Sequence, residues 1–368
     1  MTTVTKILHI ITDTNIGGAG HQMLNLLDSM GKDFTAEVML PENSRLTPLL
    51  KQRRIKFHEV PHIADQSFSW AGVRAIRKKL KEIGPDIVHT HASFSGRVAA
   101  RLYGKCKIVH TLHCAFPVSK RRKSFPAKQF FGTLNNLFSD RIIATSPVAE
   151  RTLLDMGAAK KKIRVVFNGV PKAKEYTPSQ AAILRRKYKV PEDVFVLTYI
   201  ARLTEIKGHD YVLDTAKELP YNVMILFAGD GDYEQHLATR IQQENLNNVR
   251  LLGFVSEVEE LLAIMDAQLN MSYVSETTSL SLLQGMSVGK PAIVTKFSGN
   301  VYVIEKGVNG MLVPPCDPEA LDEAITNLKN DPELYKRLSE GARMRYSQQF
   351  TAKKMAEETE KVYRELKA

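Results

Sequence analysis

V-F-V-L-T-Y-I-A-R-L-T-E-I-K-G-H-D-Y-V-L-D-T-A-K-E-L-P-Y-N-V-M-I-L-F-A-G-D-G, residues 194–231, is the stretch whose reading decides the fold. Its opening run, Val194–Ala201, is short and apolar, and Asn222–Ala228 is a second such run. Between them Tyr211–Leu219 has the apolar spacing of an amphipathic helix. Strand, helix and strand in this order predict a parallel pair joined by a helical crossover.

The same alternation extends in both directions. Upstream, strands are expected at Ile7–Thr12, Glu37–Leu40, Phe57–Val60, Ile87–Thr90, Lys107–Thr111, Arg141–Thr145 and Ile163–Phe167. Downstream they are expected at Val249–Leu252, Ala267–Met271, Ala292–Thr295 and Gly310–Val313. Amphipathic stretches lie between, among them Trp70–Ile83, Asp232–Glu244, Leu280–Ser287 and Pro332–Phe350. This is the pattern of doubly wound α/β sheets with helices on both faces. A chain of 368 residues should form two such domains. Asn168-Gly169-Val170-Pro171 carries turn signals, and a polar, Pro-containing stretch to Pro191 separates the two patterns. The expected division is residues 1–171 and 172–351, with a last helix, 352–368, packing back on the first domain.

Charge is divided unevenly. Through Lys172 there are 28 basic and 12 acidic residues, a net +16, whereas the rest carries 23 and 28, a net −5. The first domain should therefore meet an anionic partner. The three cysteines, Cys106, Cys114 and Cys316, are scattered and show no zinc or disulfide spacing. They fit a reducing cytoplasm. The N-terminus reads as a strand rather than a signal peptide, and no apolar run is long enough to span a bilayer.

Several motifs stand where strands end, which is where open α/β sheets bind ligands. Gly17-Gly18-Ala19-Gly20 follows the first strand and opens a helix, so its amides can receive an anion. Met23 breaks the dinucleotide fingerprint there. Arg202 closes Val194–Ala201, and Lys207-Gly208 follows after a short loop; both can hold phosphate oxygens. Ser275-Glu276-Thr277-Thr278-Ser279 precedes the helix at Leu280. Its hydroxyls are good caps, the amides near Ser279 and Leu280 suit a diphosphate, and Gln284 lies one turn inside. His113 ends another strand. His89 and His91 share a strand face, but with no Cys, Asp or Glu nearby as a third ligand, no metal is expected. Lys120-Arg121-Arg122-Lys123, followed by Phe125, Phe130 and Phe131, suits an anionic lipid surface. No nucleic-acid motif accompanies it.

Taken in order, these residues resemble the retaining glycosyltransferases of family four, which have the GT-B fold: two Rossmann-like domains facing across a cleft. The resemblance includes P-D-I-V-H-T-H at Pro85–His91, F-N-G-V at Phe167–Val170 and G-D-G at Gly229–Gly231. It continues through L-G-F-V at Leu252–Val255 and G-V-N-G-M-L-V-P-P at Gly307–Pro315. It implies a donor-binding second domain and an acceptor-binding first domain. Arg202 and Lys207 would neutralise the departing diphosphate. Gly253, Phe254 and Val255 would lie along the base, Glu276 would face the donor sugar and His113 its reacting end. Gly17, Gly18, Thr278, Ser279, Leu280 and Gln284 complete the expected donor set; His91 and Lys120–Lys123 serve acceptor or membrane. The implied co-substrate is a UDP- or GDP-linked sugar, with no metal and no separate cofactor.

The family pattern is broken at two places. Gln284 stands where an acid usually holds ribose, and Ser298 and Tyr302 replace a Gly and a Glu around Gly299. The resulting expectation is transfer of a hexose or N-acetylhexosamine to a lipid-linked or anionic glycan. The enzyme would be cytoplasmic and peripheral at the inner face of the membrane. A catalytically weak partner subunit and a nucleotide-sugar epimerase of the same fold remain as alternatives; a nucleic-acid binder is suggested by charge alone.

Overall fold

The computed structural model describes residues 4–367; the expected bounds at residues 1–3 and 368 lie outside them. The chain runs β1 (Thr5–Ile11), α1 (Gly18–Ser29), β2 (Phe34–Pro41), α2 (Thr47–Gln52), β3 (Phe57–Val60), α3 (Trp70–Ile83), β4 (Ile87–His91), α4 (Phe94–Tyr103), β5 (Lys107–Leu112), α5 (Lys120–Lys123), α6 (Ala127–Leu137), β6 (Arg141–Ala144), α7 (Pro147–Asp155) and β7 (Ile163–Val165). It continues through α8 (Pro178–Lys187), β8 (Phe195–Ile200), α9 (His209–Ala216), β9 (Val223–Ala228), α10 (Glu234–Gln243), β10 (Val249–Leu251), α11 (Val258–Ile264), β11 (Ala267–Asn270) and α12 (Leu280–Ser287). Last come β12 (Ala292–Thr295), α13 (Asn300–Val303), β13 (Gly310–Val313), α14 (Pro318–Asn330), α15 (Pro332–Gln349) and α16 (Ala352–Arg364).

Two compact units result: residues 1–169 with 352–368, and residues 170–351. Each is built on one all-parallel sheet, ordered β3-β2-β1-β4-β5-β6-β7 in the first and β10-β9-β8-β11-β12-β13 in the second. The doubly wound α/β expectation holds in both. Each expected strand forms, with its ends within three residues of the forecast. The reason is burial on both faces, which gives parallel strands near-continuous apolar runs.

In the first unit, Leu8, Ile10, Val88 and Ile108 pack beneath α3 and α4. Ile7, Ile87, Val109 and Ile143 face the other way, against Met355, Ala356 and Tyr363 of α16. In the second unit, Leu197, Ile225 and Ile293 pack with Val212, Leu237 and Ile325 on one face. Val196, Met224 and Leu226 pack with Leu184 and Leu261 on the other. Each such side chain contributes about 1.5–3 kcal/mol when fully buried.

Helix α16 is fixed to the first unit by polar contacts as well. Glu360 accepts from the Gly31 amide at 2.7 Å, and Glu365 meets Arg141 and Arg164 at 3.0 and 2.7 Å. The polar stretch read as a separator instead contains helix α8 and belongs to the second unit. Thr177 and Gln180 form a reciprocal capping box at its start, which satisfies two otherwise unpaired amides.

Candidate functional site

Each sheet has one place where the chain reverses its direction of winding. In the second unit it lies between β8 and β11, since the chain leaves β8 for β9 and β10 and returns on the opposite side. Loops leaving these two strands diverge and open a crevice. The loop after β8 holds Arg202, which is exposed, then a 3-10 turn over Glu205–Lys207. Gly208 ends that turn at φ 72°, and a Cβ there would lie 2.4 Å from the Met271 carbonyl oxygen. Glycine is therefore required for this loop to close on the end of β11. The Lys207 carbonyl is held by the Tyr199 hydroxyl at 2.6 Å.

The close approach brings Lys207 to Glu276. Its Nζ lies 2.9 Å from Glu276 Oε2 and 3.2 Å from Ser272 Oγ. Asn270 Nδ2 and Ser272 Oγ also donate to that oxygen, at 3.1 and 3.0 Å. Burial of the carboxyl would raise its pKa. The Lys207 ammonium and the hydrogen bonds outweigh that effect and hold it below the usual carboxylate range. The Glu276 backbone is clamped from the loop after β12: Ser298 Oγ and the Gly299 amide donate to its carbonyl at 2.7 and 3.2 Å. Ser298, one of the two replaced positions around Gly299, thus has a definite job. Tyr302, the other of those two, is exposed on α13.

Helix α12 starts beside this pair. Ser279 is its cap, its Oγ accepting from the Leu282 amide; the first amides of a helix have no intrahelical partner. Thr278 is buried just before the cap, and Leu280 begins the helix. Gln284 is half-buried one turn in. Gly253, at φ 66°, follows β10, and its carbonyl accepts from Gly229 at 2.8 Å. Phe254 beside it is 67% exposed and Val255 half-buried.

In the first unit the reversal lies between β1 and β4. Gly17 caps α1 without a side chain, and a Cβ on Gly18 would meet nothing within 4 Å. That leaves the backbone there open to approach. On the neighbouring strand ends, His91 joins His113 at 2.9 Å through Nδ1 and His9 at 3.0 Å through Nε2. His89 is bonded to the Tyr363 hydroxyl and to Thr111 Oγ1, both at 2.6 Å. Burial pushes His9 down to about 3 and His113 to about 4, so these imidazoles are neutral at pH 7. His9, His89 and His91 offer nitrogens within 4.8 Å of one another. Three histidines can hold a metal, but both His89 nitrogens are already engaged by hydroxyls. The arrangement fits shared protons better.

The sequence reading did not find His9. Its signal was present: a lone polar residue in the apolar run of β1 needs a buried partner. Asn270 and Ser272, the supports of Glu276, were missed as well, although they stand at the end of a strand, where ligand sites lie. Lys120–Lys123 forms the short helix α5, capped by Ser119. Lys123 reaches Asp155 at 2.6 Å, Arg122 lies over the Phe131 ring, and Phe125 and Phe130 are exposed.

Comparison with known sequences decides the family. Residues 16–174 match the domain described as Glycosyltransferase Family 4, and residues 180–345 match Glycosyl transferases group 1. The chain belongs to the family-four glycosyltransferases. One relative in the family, an uncharacterized glycosyltransferase of Methanocaldococcus jannaschii, is 28% identical over 95% of both chains. Another is UDP-Gal:alpha-D-GlcNAc-diphosphoundecaprenol alpha-1,3-galactosyltransferase of Escherichia coli. It is 28% identical over 71% of this chain and 70% of its own. Among solved structures, Anabaena HepE in complex with UDP and glucose superposes with a TM-score of 0.86. It covers 98% of this chain and 99% of its own at 23% identity, a likeness of fold. Among the described residues, no helix is long and apolar enough to cross a membrane.

Proposed function

We propose that the protein transfers a hexose or N-acetylhexosamine from a UDP- or GDP-linked donor, with retention and without a metal, to a lipid-linked or anionic glycan. The observation that carries this reading is the Lys207–Glu276 pair at the reversal point of the second sheet, with Arg202 exposed on the same loop. When the bond from the anomeric carbon to the diphosphate breaks, negative charge grows on the leaving group. Arg202, Lys207 and the first amides of α12 would meet it as preorganised donors. Glu276, ionised and held by three donors, would face the sugar hydroxyls, with His113 at the reacting end. Gly253, Phe254 and Val255 would line the base, and Gln284 would bond ribose through its amide.

The lipid-linked part of the proposal draws support from charge. The first unit carries 32 basic and 16 acidic residues, a net +16. Phe125, 80% exposed, follows the basic turn of α5. Such a surface would hold the enzyme at the inner face of a membrane. Product analysis with UDP- and GDP-sugars and a polyprenyl-diphosphate glycan, with and without chelator, tests the reading. An α-linked product from an α-linked donor, undiminished by EDTA, is expected. An inverted product, or sugar isomerised without an acceptor, would overturn it. Vesicle binding at low salt should need anionic lipid and disappear when Lys120, Arg121, Arg122 and Lys123 are all changed to Ser.

A further inference from the structure

Strands β1, β4 and β5 are neighbours, and their register sets His9 beside His89 and His91 between Ile11 and Thr111. Side chains alternate along a strand, so His9, His89, His91 and Thr111 share the face that Tyr363 of α16 covers. His113 follows β5 directly. The outcome is a continuous chain of imidazoles: His9 Nδ1 to His91 Nε2, then His91 Nδ1 to His113 Nε2.

Each of those two contacts needs one proton. A neutral imidazole has only one N–H, so the chain has two arrangements. In the first, His9 donates to His91 and His91 donates to His113. His113 then carries its proton on Nδ1, and His9 Nε2 is a bare lone pair. In the second, every proton is reversed, and His9 Nε2 becomes an N–H. That nitrogen is buried and has no partner. An orphaned N–H is the rarer and costlier defect in a protein interior, which favours the first arrangement.

We propose that His9 and His91 are positioning residues that lock His113 as a neutral imidazole protonated on Nδ1 and bare on Nε2. The use of this lock rests on the proposed role of His113 beside the donor. An isolated histidine prefers the opposite tautomer, so the lock is distinguishable from no lock. His89 is bonded to hydroxyls, and His110 lies on the other face of the sheet, where burial first and then Arg97 oppose its protonation. Glu360, on α16 near Tyr363, is taken by Gly31 and Arg364.

The test uses the whole chain with 15N-labelled histidine and long-range proton–nitrogen NMR, which reads the tautomer of each ring. At pH 7, His113 should show a protonated Nδ1 and a bare Nε2. His91→Leu should return it toward the Nε2-protonated form, whereas His91→Asn, whose amide can donate in place of Nδ1–H, should retain the lock. A wild-type His113 protonated on Nε2 overturns the proposal even if neither variant folds. So does a Zn2+ titration that shifts all three rings at one equivalent, because a metal would then own the nitrogens. Turnover is read separately: His91→Leu should lower kcat by about tenfold with little change in donor KM, and His91→Asn should restore it. The expected tautomers with an unaltered kcat would uphold the lock and discard the His113 role.

Discussion

The two reversal points solve the same problem in opposite ways. Each must keep polar groups ready at the edge of a buried sheet, where an unpaired charge is costly. The first unit, although its net charge is +16, keeps a chain of neutral imidazoles there. The second unit, with 19 basic and 24 acidic residues, keeps an ion pair, Lys207 with Glu276. Overall charge therefore says little about the charge of a site. What matters is whether a partner of opposite sign is within reach. His9 and His91 have only other rings, whereas Glu276 has an ammonium and two further donors.

The most damaging way to break the second arrangement is Lys207→Ala. It should lower turnover about 10²–10³-fold, as when a preorganised oxyanion donor is lost. It should also cost about 3–5 kcal/mol of stability, because Glu276 is left buried and unpaired. Adding Glu276→Gln should recover most of the stability in urea titrations and none of the turnover. Recovery of both would mean that the pair serves folding alone.

Acid should separate the two units. His9 titrates at about 3 in the folded protein and near 6.5 when unfolded. Between those values the unfolded chain binds the extra proton, so stability falls as pH falls. The loss is about 1.4 kcal/mol per pH unit for this one ring. Glu276 behaves differently. Its folded pKa is depressed below about 4.5, so its contribution is intact above that value and is lost only as pH falls through the folded pKa. Hydrogen exchange followed from pH 7 to 5 should show β1, β4 and β5 losing more protection than β8 and β11, because the first unit buries several neutral imidazoles and the second buries His209, which burial pushes down to about 4. Equal losses in both would count against the neutral-imidazole assignment.

A smaller effect sharpens the comparison. Gln284→Glu would place a carboxylate on α12, one turn in from Ser279. If the amide bonds ribose, the substitution should tighten nucleoside-diphosphate binding by about tenfold or less, since charge-assisted bonds are stronger. Weaker binding by calorimetry would mean that the amide suits this protein's own donor.

The strands were legible because burial on both faces leaves an unbroken apolar record, as in Val223–Ala228. The placement of Arg202, Lys207 and Glu276 in loops after strands was legible as well, since each follows an apolar run. Their pairing was not. Lys207 and Glu276 are 69 positions apart, and nothing local says that Gly208 brings one loop onto the other. The same holds for His9 and His91, 82 positions apart. Helix α8 was hidden by composition, since its polar residues lack a strong apolar stripe, yet its capping box was there to read in Thr177 and Gln180.

Helix α16 has a consequence for how the protein is born. It closes the face of the first sheet and supplies the Tyr363 hydroxyl to His89. It is also translated after the whole of residues 170–351. At roughly 5–20 residues per second, the first unit waits on the order of 10–40 s for its last piece. During that interval the second unit can finish while Ile7, Ile87 and Val109 stay uncovered. The half made first is completed last, and a ribosome that stalls before Tyr363 would release a chain with one finished unit and one open sheet.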